Sequence, residues 1–128
     1  MRILLDTHTL LWAAFDEDSL SRPSRKILRT SANELFVSAA SAWEIATKFR
    51  LGKLDSAQIL ANDFVRTVSG AGYQLLSISV EHALRAGRLP GEHRDPFDRM
   101  LAAQAIHEDM PILSSDEQLE GFGVRRIW

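Results

Sequence analysis

Four acidic side chains, Asp6, Glu44, Asp98 and Asp116, stand where apolar, strand-like runs end or helix-like runs begin. Carboxylates gathered in one hollow repel each other and are costly to hold without a cation. Mg²⁺ or Mn²⁺, hard ions that take oxygen ligands, are the natural choice. Such an ion lowers the pKa of water and neutralises phosphate oxygens. The pattern therefore points to hydrolysis of a phosphodiester by metal-activated water, with no protein nucleophile. Asp6, Glu44, Asp98 and Asp116 are the candidate catalytic residues and metal ligands, and none of them is expected to be needed for folding.

Each acid also has a structural use open to it. Asp6 can cap the helix that follows the first strand. Ser41-Ala42-Trp43-Glu44 fits a capping box, and Glu44 is spaced to pair with Lys48 one turn on. Asp98 suits a helix dipole from the third position, yet it shares a face with Leu101, Ala102 and Ala105, where a lone carboxylate is expensive. Asp116 suits a turn. Asp95 is the more natural cap of its helix and is assigned that role. The histidines His8, His82, His93 and His107 show no zinc spacing. Trp12 and Trp43 fit core or interface positions.

The positioning elements follow from periodicity and punctuation. Strands are expected at Ile3 to Leu5, Leu35 to Ser38, Leu75 to Ile78, Ile112 to Ser114 and Val124 to Ile127. Helices are expected at Thr7 to Phe15, Ser21 to Ser31, Ala39 to Leu51, Ala57 to Ser69, and from the Ser79 cap to about Arg88. The best-signalled helix opens with Asp95 and Pro96 and runs to about Asp109. Short apolar strands alternating with helices imply a mainly parallel sheet with helices on both faces. In such a sheet, functional groups gather beyond the carboxyl ends of the strands, and all four acids are compatible with that edge.

The chain's 128 residues suit one domain, and 45% hydrophobic with 25% charged residues is ordinary for a globular protein. The absence of cysteine excludes a disulfide scaffold, a cysteine zinc site and a thiol nucleophile. It fits a cytoplasmic location. The opening Met-Arg-Ile-Leu-Leu-Asp is not a signal peptide, and no apolar run approaches the ~20 residues of a membrane span. A net charge of −2 argues mildly against a general nucleic-acid binder. Three basic clusters matter more: Arg22, Arg25, Lys26 and Arg29; Lys48, Arg50 and Lys53; Arg85, Arg88, Arg94 and Arg99. Together around an acidic centre they would form a rim for a polyanion. Lys48, Arg99 and the Arg85–Arg88 region are the candidate substrate contacts.

These motifs resemble those of the PIN-domain toxins of bacterial toxin–antitoxin pairs, the VapC-like ribonucleases. Leu5-Asp6-Thr7-His8-Thr9-Leu10-Leu11-Trp12 is similar to the family's first motif, and Val37-Ser38-Ala39-Ala40-Ser41-Ala42-Trp43-Glu44-Ile45-Ala46 to its second. Asp95-Pro96-Phe97-Asp98-Arg99-Met100-Leu101-Ala102-Ala103-Gln104-Ala105 resembles the third, and Leu113-Ser114-Ser115-Asp116 the fourth. The likeness covers nearly the whole chain. It implies an α/β PIN-like three-layer α/β/α sandwich and a single nuclease domain over residues 1–128. It also implies an endoribonuclease using Mg²⁺ or Mn²⁺ held by Asp6, Glu44, Asp98 and Asp116. Ser114 becomes a candidate helper for water or phosphate. RNA as substrate, a homodimer and a cognate antitoxin that blocks the cleft are implied as partners. Some members carry a further acid two residues after the fourth, where this chain has Gln118, which weakens the case for a second metal.

Other readings predict other residues. A haloacid-dehalogenase-like phosphatase also begins with Asp after strand one, but here His8 holds the place of its second acid and no lysine follows Lys53. A response-regulator receiver wants paired early acids and a late lysine. Nucleotide-cofactor folds want a glycine-rich first turn, which is missing. A non-catalytic α/β binding module requires all four acids to be caps or solvated ends.

Overall fold

The computed structural model describes residues 1–128. Five strands, β1 (Arg2–Leu5), β2 (Glu34–Ser38), β3 (Gln74–Leu76), β4 (Ile112–Leu113) and β5 (Arg126–Ile127), form one sheet in the order β3-β2-β1-β4-β5. Every pairing is parallel. All strand carboxyl ends therefore lie on one edge, as alternation with helices predicts. β1 sits in the middle, with Leu5 opposite Val37 on one side and Leu113 on the other.

The period-two side-chain pattern of these strands divides the core in two. Ile3, Leu5, Leu35, Val37 and Leu113 face one layer, where they meet Leu10 and Leu11 of α1 (Thr7–Phe15), Ile45 of α3 (Ala39–Arg50), Leu60 of α4 (Gln58–Asn62) and Val68 of α5 (Phe64–Gly70). Leu4, Phe36 and Ile112 face the other, against Leu101, Ala102 and Ala105 of α7 (Pro96–His107). A strand buried on both faces reads as a continuous apolar run, which is why β1 and β4 were legible. The basic helix α2 (Arg22–Arg29) and α6 (Val80–Arg88) complete the helical layers. No helix is long and apolar enough to cross a membrane.

The structure corrects several boundaries. The helix expected from Ala57 to Ser69 is two helices, broken at Asp63, whose φ of −143° and ψ of 53° are not helical. Asn62 and Asp63 are poor helix formers that favour turns. The third strand ends at Leu76 rather than Ile78, because Ser77 turns toward α7 and Ser79 caps α6. α7 stops at His107, and Asp109 takes a left-handed φ of 53° on the way to β4. The last strand shortens to Arg126–Ile127, with Val124 packed into the core before it.

One buried polar link fixes α7 against the sheet. The Ser38 hydroxyl donates to Gln104 Oε1, and Gln104 Nε2 donates to the Ser77 carbonyl at 3.2 Å. Both Ser38 and Gln104 are fully buried. Gln104 thus joins the ends of β2 and β3 to the helix that carries Asp98. Gln104→Leu would strand these partners away from water, so we expect a loss of about 1–3 kcal/mol in urea unfolding. An unchanged urea midpoint would show that the link is dispensable.

Candidate active site

The carboxyl edge of the sheet collects the acids. Asp6 directly follows β1, and its backbone N–H donates to the Leu113 carbonyl of β4 at 3.2 Å. The side chain caps α1 by accepting from Thr9 N–H through Oδ1 at 2.7 Å. Its other oxygen, Oδ2, accepts from the Ser114 hydroxyl. The same Ser114 oxygen accepts from the backbone N–H of Asp116 at 3.0 Å. Asp6 and Asp116, more than a hundred positions apart, are therefore joined through one buried hydroxyl. Asp116 in turn caps a 3₁₀ turn, Glu117–Phe122, by accepting from Gln118 N–H at 3.0 Å.

Glu44 and Asp98 arrive on helices. The N-terminus of α3 is tied to that of α1 by a 2.9 Å hydrogen bond between the hydroxyls of Ser41 and Thr7. Ser41 is thus engaged elsewhere, and the expected Ser41–Glu44 capping box does not form; Ser38 caps α3 instead. Glu44, buried to 3% exposure, pairs with Lys48 through Oε2. Asp95 caps α7, accepting from the backbone N–H groups of Phe97 at 2.9 Å and Asp98 at 3.3 Å. The residues preceding the two acids touch: the rings of Trp43 and Phe97 pack edge to face at 4.7 Å, holding α3 and α7 side by side. Trp43 otherwise stands exposed.

Asp98 registers the whole cluster. Its carboxyl is pushed up to about 6, first by burial, then by the charge of Asp95, with Glu44 and Asp116 acting in the same sense and His93 opposing them. Negative charges that raise each other's pKa lie close enough to repel. His93, Asp98 and Asp116 offer ligand atoms that all lie within 4.8 Å of one another. Glu44, Asp98 and Asp116 come close enough for their charges to interact, while Asp6 is linked through Ser114 to the Asp116 backbone. The expectation that none has a structural task is not met, since Asp6 and Asp116 are also caps.

The structure reassigns two residues expected to touch substrate. Arg99 is committed to the fold: Nε donates to the Ala86 carbonyl at 3.1 Å, one terminal nitrogen to the His93 carbonyl at 3.1 Å and the other to the Leu89 carbonyl. A planar fork with several donors suits such a clamp. Ser114 is engaged on both sides and orients Asp6 and Asp116. Lys48, a third exposed, stays at the rim beside Glu44. The basic clusters do not make one rim. Arg22, Arg25, Lys26 and Arg29 line a groove on α2, and Arg85 and Arg88 line another with His107; neither includes an acid of the cluster. His93 was missed, because no sequence spacing ties it to Asp116. His8 lies exposed against Trp12.

A divalent ion fits these residues. The donors are mainly carboxylate oxygens, Asp98 is raised by burial and then by the charge of Asp95, and the buried His93 Nε2 has no hydrogen-bond partner. The ligand atoms that come together are those of His93, Asp98 and Asp116, with the Glu44 charge close enough to act on Asp98.

A three-layer sandwich with an acidic cluster at the carboxyl edge of a parallel sheet defines the class of α/β fold to which the chain belongs. The chain belongs to the PIN domain family, whose model matches residues 3–124. In fold it is similar to VapBC2 from Rickettsia felis bound to a DNA fragment from their promoter, with a TM-score of 0.75 at 15% identity over 100% of this chain and 99% of the other. It is also similar to VapBC-1 from nontypeable Haemophilus influenzae, with a TM-score of 0.69 at 12% identity over 99% and 97% of the two chains. FitAcB from Neisseria gonorrhoeae gives a TM-score of 0.67 at 16% identity over 98% and 96%. No curated protein matches the chain in sequence.

The raised Asp98 pKa has a pH signature. An unfolded aspartate titrates near 3.9, whereas the folded protein keeps this proton up to about 6. The stabilisation tied to that proton is fully present below the unfolded value and lost as pH rises through 6. Asp98→Asn should therefore stabilise the metal-free protein at pH 7.5 by roughly 1–2 kcal/mol, with much less effect at pH 4. Urea unfolding at the two pH values checks this, and a pH-independent difference would refute it.

Proposed function

We propose that this chain is the toxin of a toxin–antitoxin pair, an endoribonuclease that needs Mg²⁺ or Mn²⁺. The observation that carries the reading is the convergence of Glu44, Asp98 and Asp116, with Asp6 joined through Ser114, at the carboxyl edge of a PIN sheet. In this reading residues 1–128 act as one nuclease domain in the cytoplasm. The similar folds of VapBC and FitAcB support a cognate antitoxin, and a homodimer belongs to the same proposal.

The residues divide the work. Asp6, Glu44, Asp98 and Asp116 hold the ion. When bound, it lowers the pKa of water and offsets charge on the phosphate, which is what hydrolysis of an RNA phosphodiester requires. Ser114 fixes the Asp6 carboxylate by donating to it while accepting from the Asp116 backbone N–H. Lys48 offsets part of the Glu44 charge and presents a cation at the rim for the RNA backbone. The edge-to-face Trp43–Phe97 contact keeps Glu44 and Asp98 adjacent. No serine, cysteine or histidine nucleophile is required. The phosphatase alternative lacks its late lysine, and membership of the PIN family places the chain elsewhere.

Purified protein should cut a defined RNA internally with Mg²⁺ or Mn²⁺ and stop with excess chelator. Asp6→Asn and Asp98→Asn should each lower the rate by at least about a hundredfold while the circular dichroism spectrum stays native. Full cleavage by both variants would remove the carboxylates from the mechanism. Release of inorganic phosphate with internal bonds left whole would indicate a phosphatase. Millimolar Mn²⁺ should also raise the melting temperature, through linkage and relief of carboxylate repulsion. An indifferent melting temperature would speak against an ion held by this cluster.

A further inference from the structure

We propose that His93 is a direct metal ligand of this site, through Nε2, and that its nitrogen biases the chain toward Mn²⁺ over Mg²⁺. The inference rests on the metal-dependent reading above and deepens it. Nε2 of His93 lies 3.1 Å from Oδ2 of Asp98, and both lie within 4.8 Å of a ligand atom of Asp116. Despite that proximity, Nε2 is buried with no hydrogen-bond partner. A buried polar atom left unpaired is unfavourable, and few survive in native proteins without a reason. A cation between imidazole and carboxylate supplies one. Neighbouring ligands of an octahedral ion, each at about 2.1 Å, are themselves about 3 Å apart, which matches the observed spacing.

The ring is held in place without any ion. It stacks on Phe122 with centroids 5.4 Å apart and planes 14° from parallel. Arg99 grips the His93 carbonyl from behind. Nδ1 has only a 3.5 Å contact with the Asp95 N–H, too long to dictate where the ring proton sits. The other histidine cluster behaves differently. His82 Nδ1 accepts from Ser79 N–H at 3.0 Å, so its proton lies on Nε2, facing Glu108 Oε1 at 2.9 Å. That group is satisfied by protein partners alone. The choice of ion follows from ligand chemistry: Mg²⁺ keeps to oxygen and holds its waters, whereas imidazole suits transition metals.

Pulsed EPR on Mn²⁺ bound to protein labelled with ¹⁵N-histidine tests the assignment directly. A ¹⁵N coupling is expected in the wild type and should vanish in His93→Gln. The same substitution should weaken Mn²⁺ binding roughly tenfold or more, but Mg²⁺ binding, read by competition, by less than about threefold. Asp98→Asn reports on the site itself and should abolish binding of both. Mn²⁺ binding that is sensitive to Asp98→Asn but shows no ¹⁵N coupling overturns the role of His93 and leaves the carboxylate site standing. Coupling that persists in His93→Gln overturns it as well, since another histidine would be the source. A wild type that binds neither ion overturns both readings.

Discussion

Repulsion among carboxylates at the end of a parallel sheet is the constraint around which this molecule is arranged. Left to themselves, Glu44, Asp98 and Asp116 would separate into water. They are instead held by groups that carry no charge of their own: the Ser114 hydroxyl, backbone N–H groups at helix starts, and the Trp43–Phe97 contact. Lys48 is the one lysine or arginine paired with an acid of the cluster. Burial first, and the neighbouring acids after it, raise the Asp98 carboxyl. A site preorganised in this way keeps an excess of negative charge, the condition under which a divalent ion binds well.

The scaffold works by fixing helix starts rather than loops. Asp6, Ser38 and Asp95 each cap the helix that follows them, so α1, α3 and α7 begin in defined places. Gln104 anchors the middle of α7 to β2 and to the chain leaving β3, while Arg99 gathers three carbonyls from α6 and the segment after it. Sites built on rigid elements in this manner place side chains more closely than sites on loops. Asp6 and Asp116 are both caps through one oxygen, and Asp6 also accepts from Ser114 while Asp116 belongs to the acidic cluster. Substituting them by asparagine keeps much of the capping ability, which makes that change a cleaner probe of charge than alanine.

The alternation of buried strands and capped helices was legible because parallel strands read as apolar runs and because Asp95-Pro96 is a strong helix opening. The four acids were legible from their places after those elements. What could not be read was anything that depends on three-dimensional neighbours. His93 joins Asp98 across a loop and Asp116 across two elements, and no linear spacing encodes that. Arg99, one residue beyond a candidate ligand, looked like a phosphate contact until its backbone partners were visible. The break at Asp63 pits a continuing apolar pattern against two weak helix formers, and pattern alone favours the wrong side. The basic clusters invited a common rim, yet they line separate grooves, because α2 and α6 lie in different parts of the helical layers.

The central place of β1 in the sheet has a temporal meaning. Its partner β4, with Ser114 and Asp116 just beyond, lies more than a hundred positions away in sequence. Pairing so distant in sequence forms slowly and only once both strands exist. Until that pairing forms, Ser114 is not held between Asp6 and Asp116, and the acidic centre is unassembled.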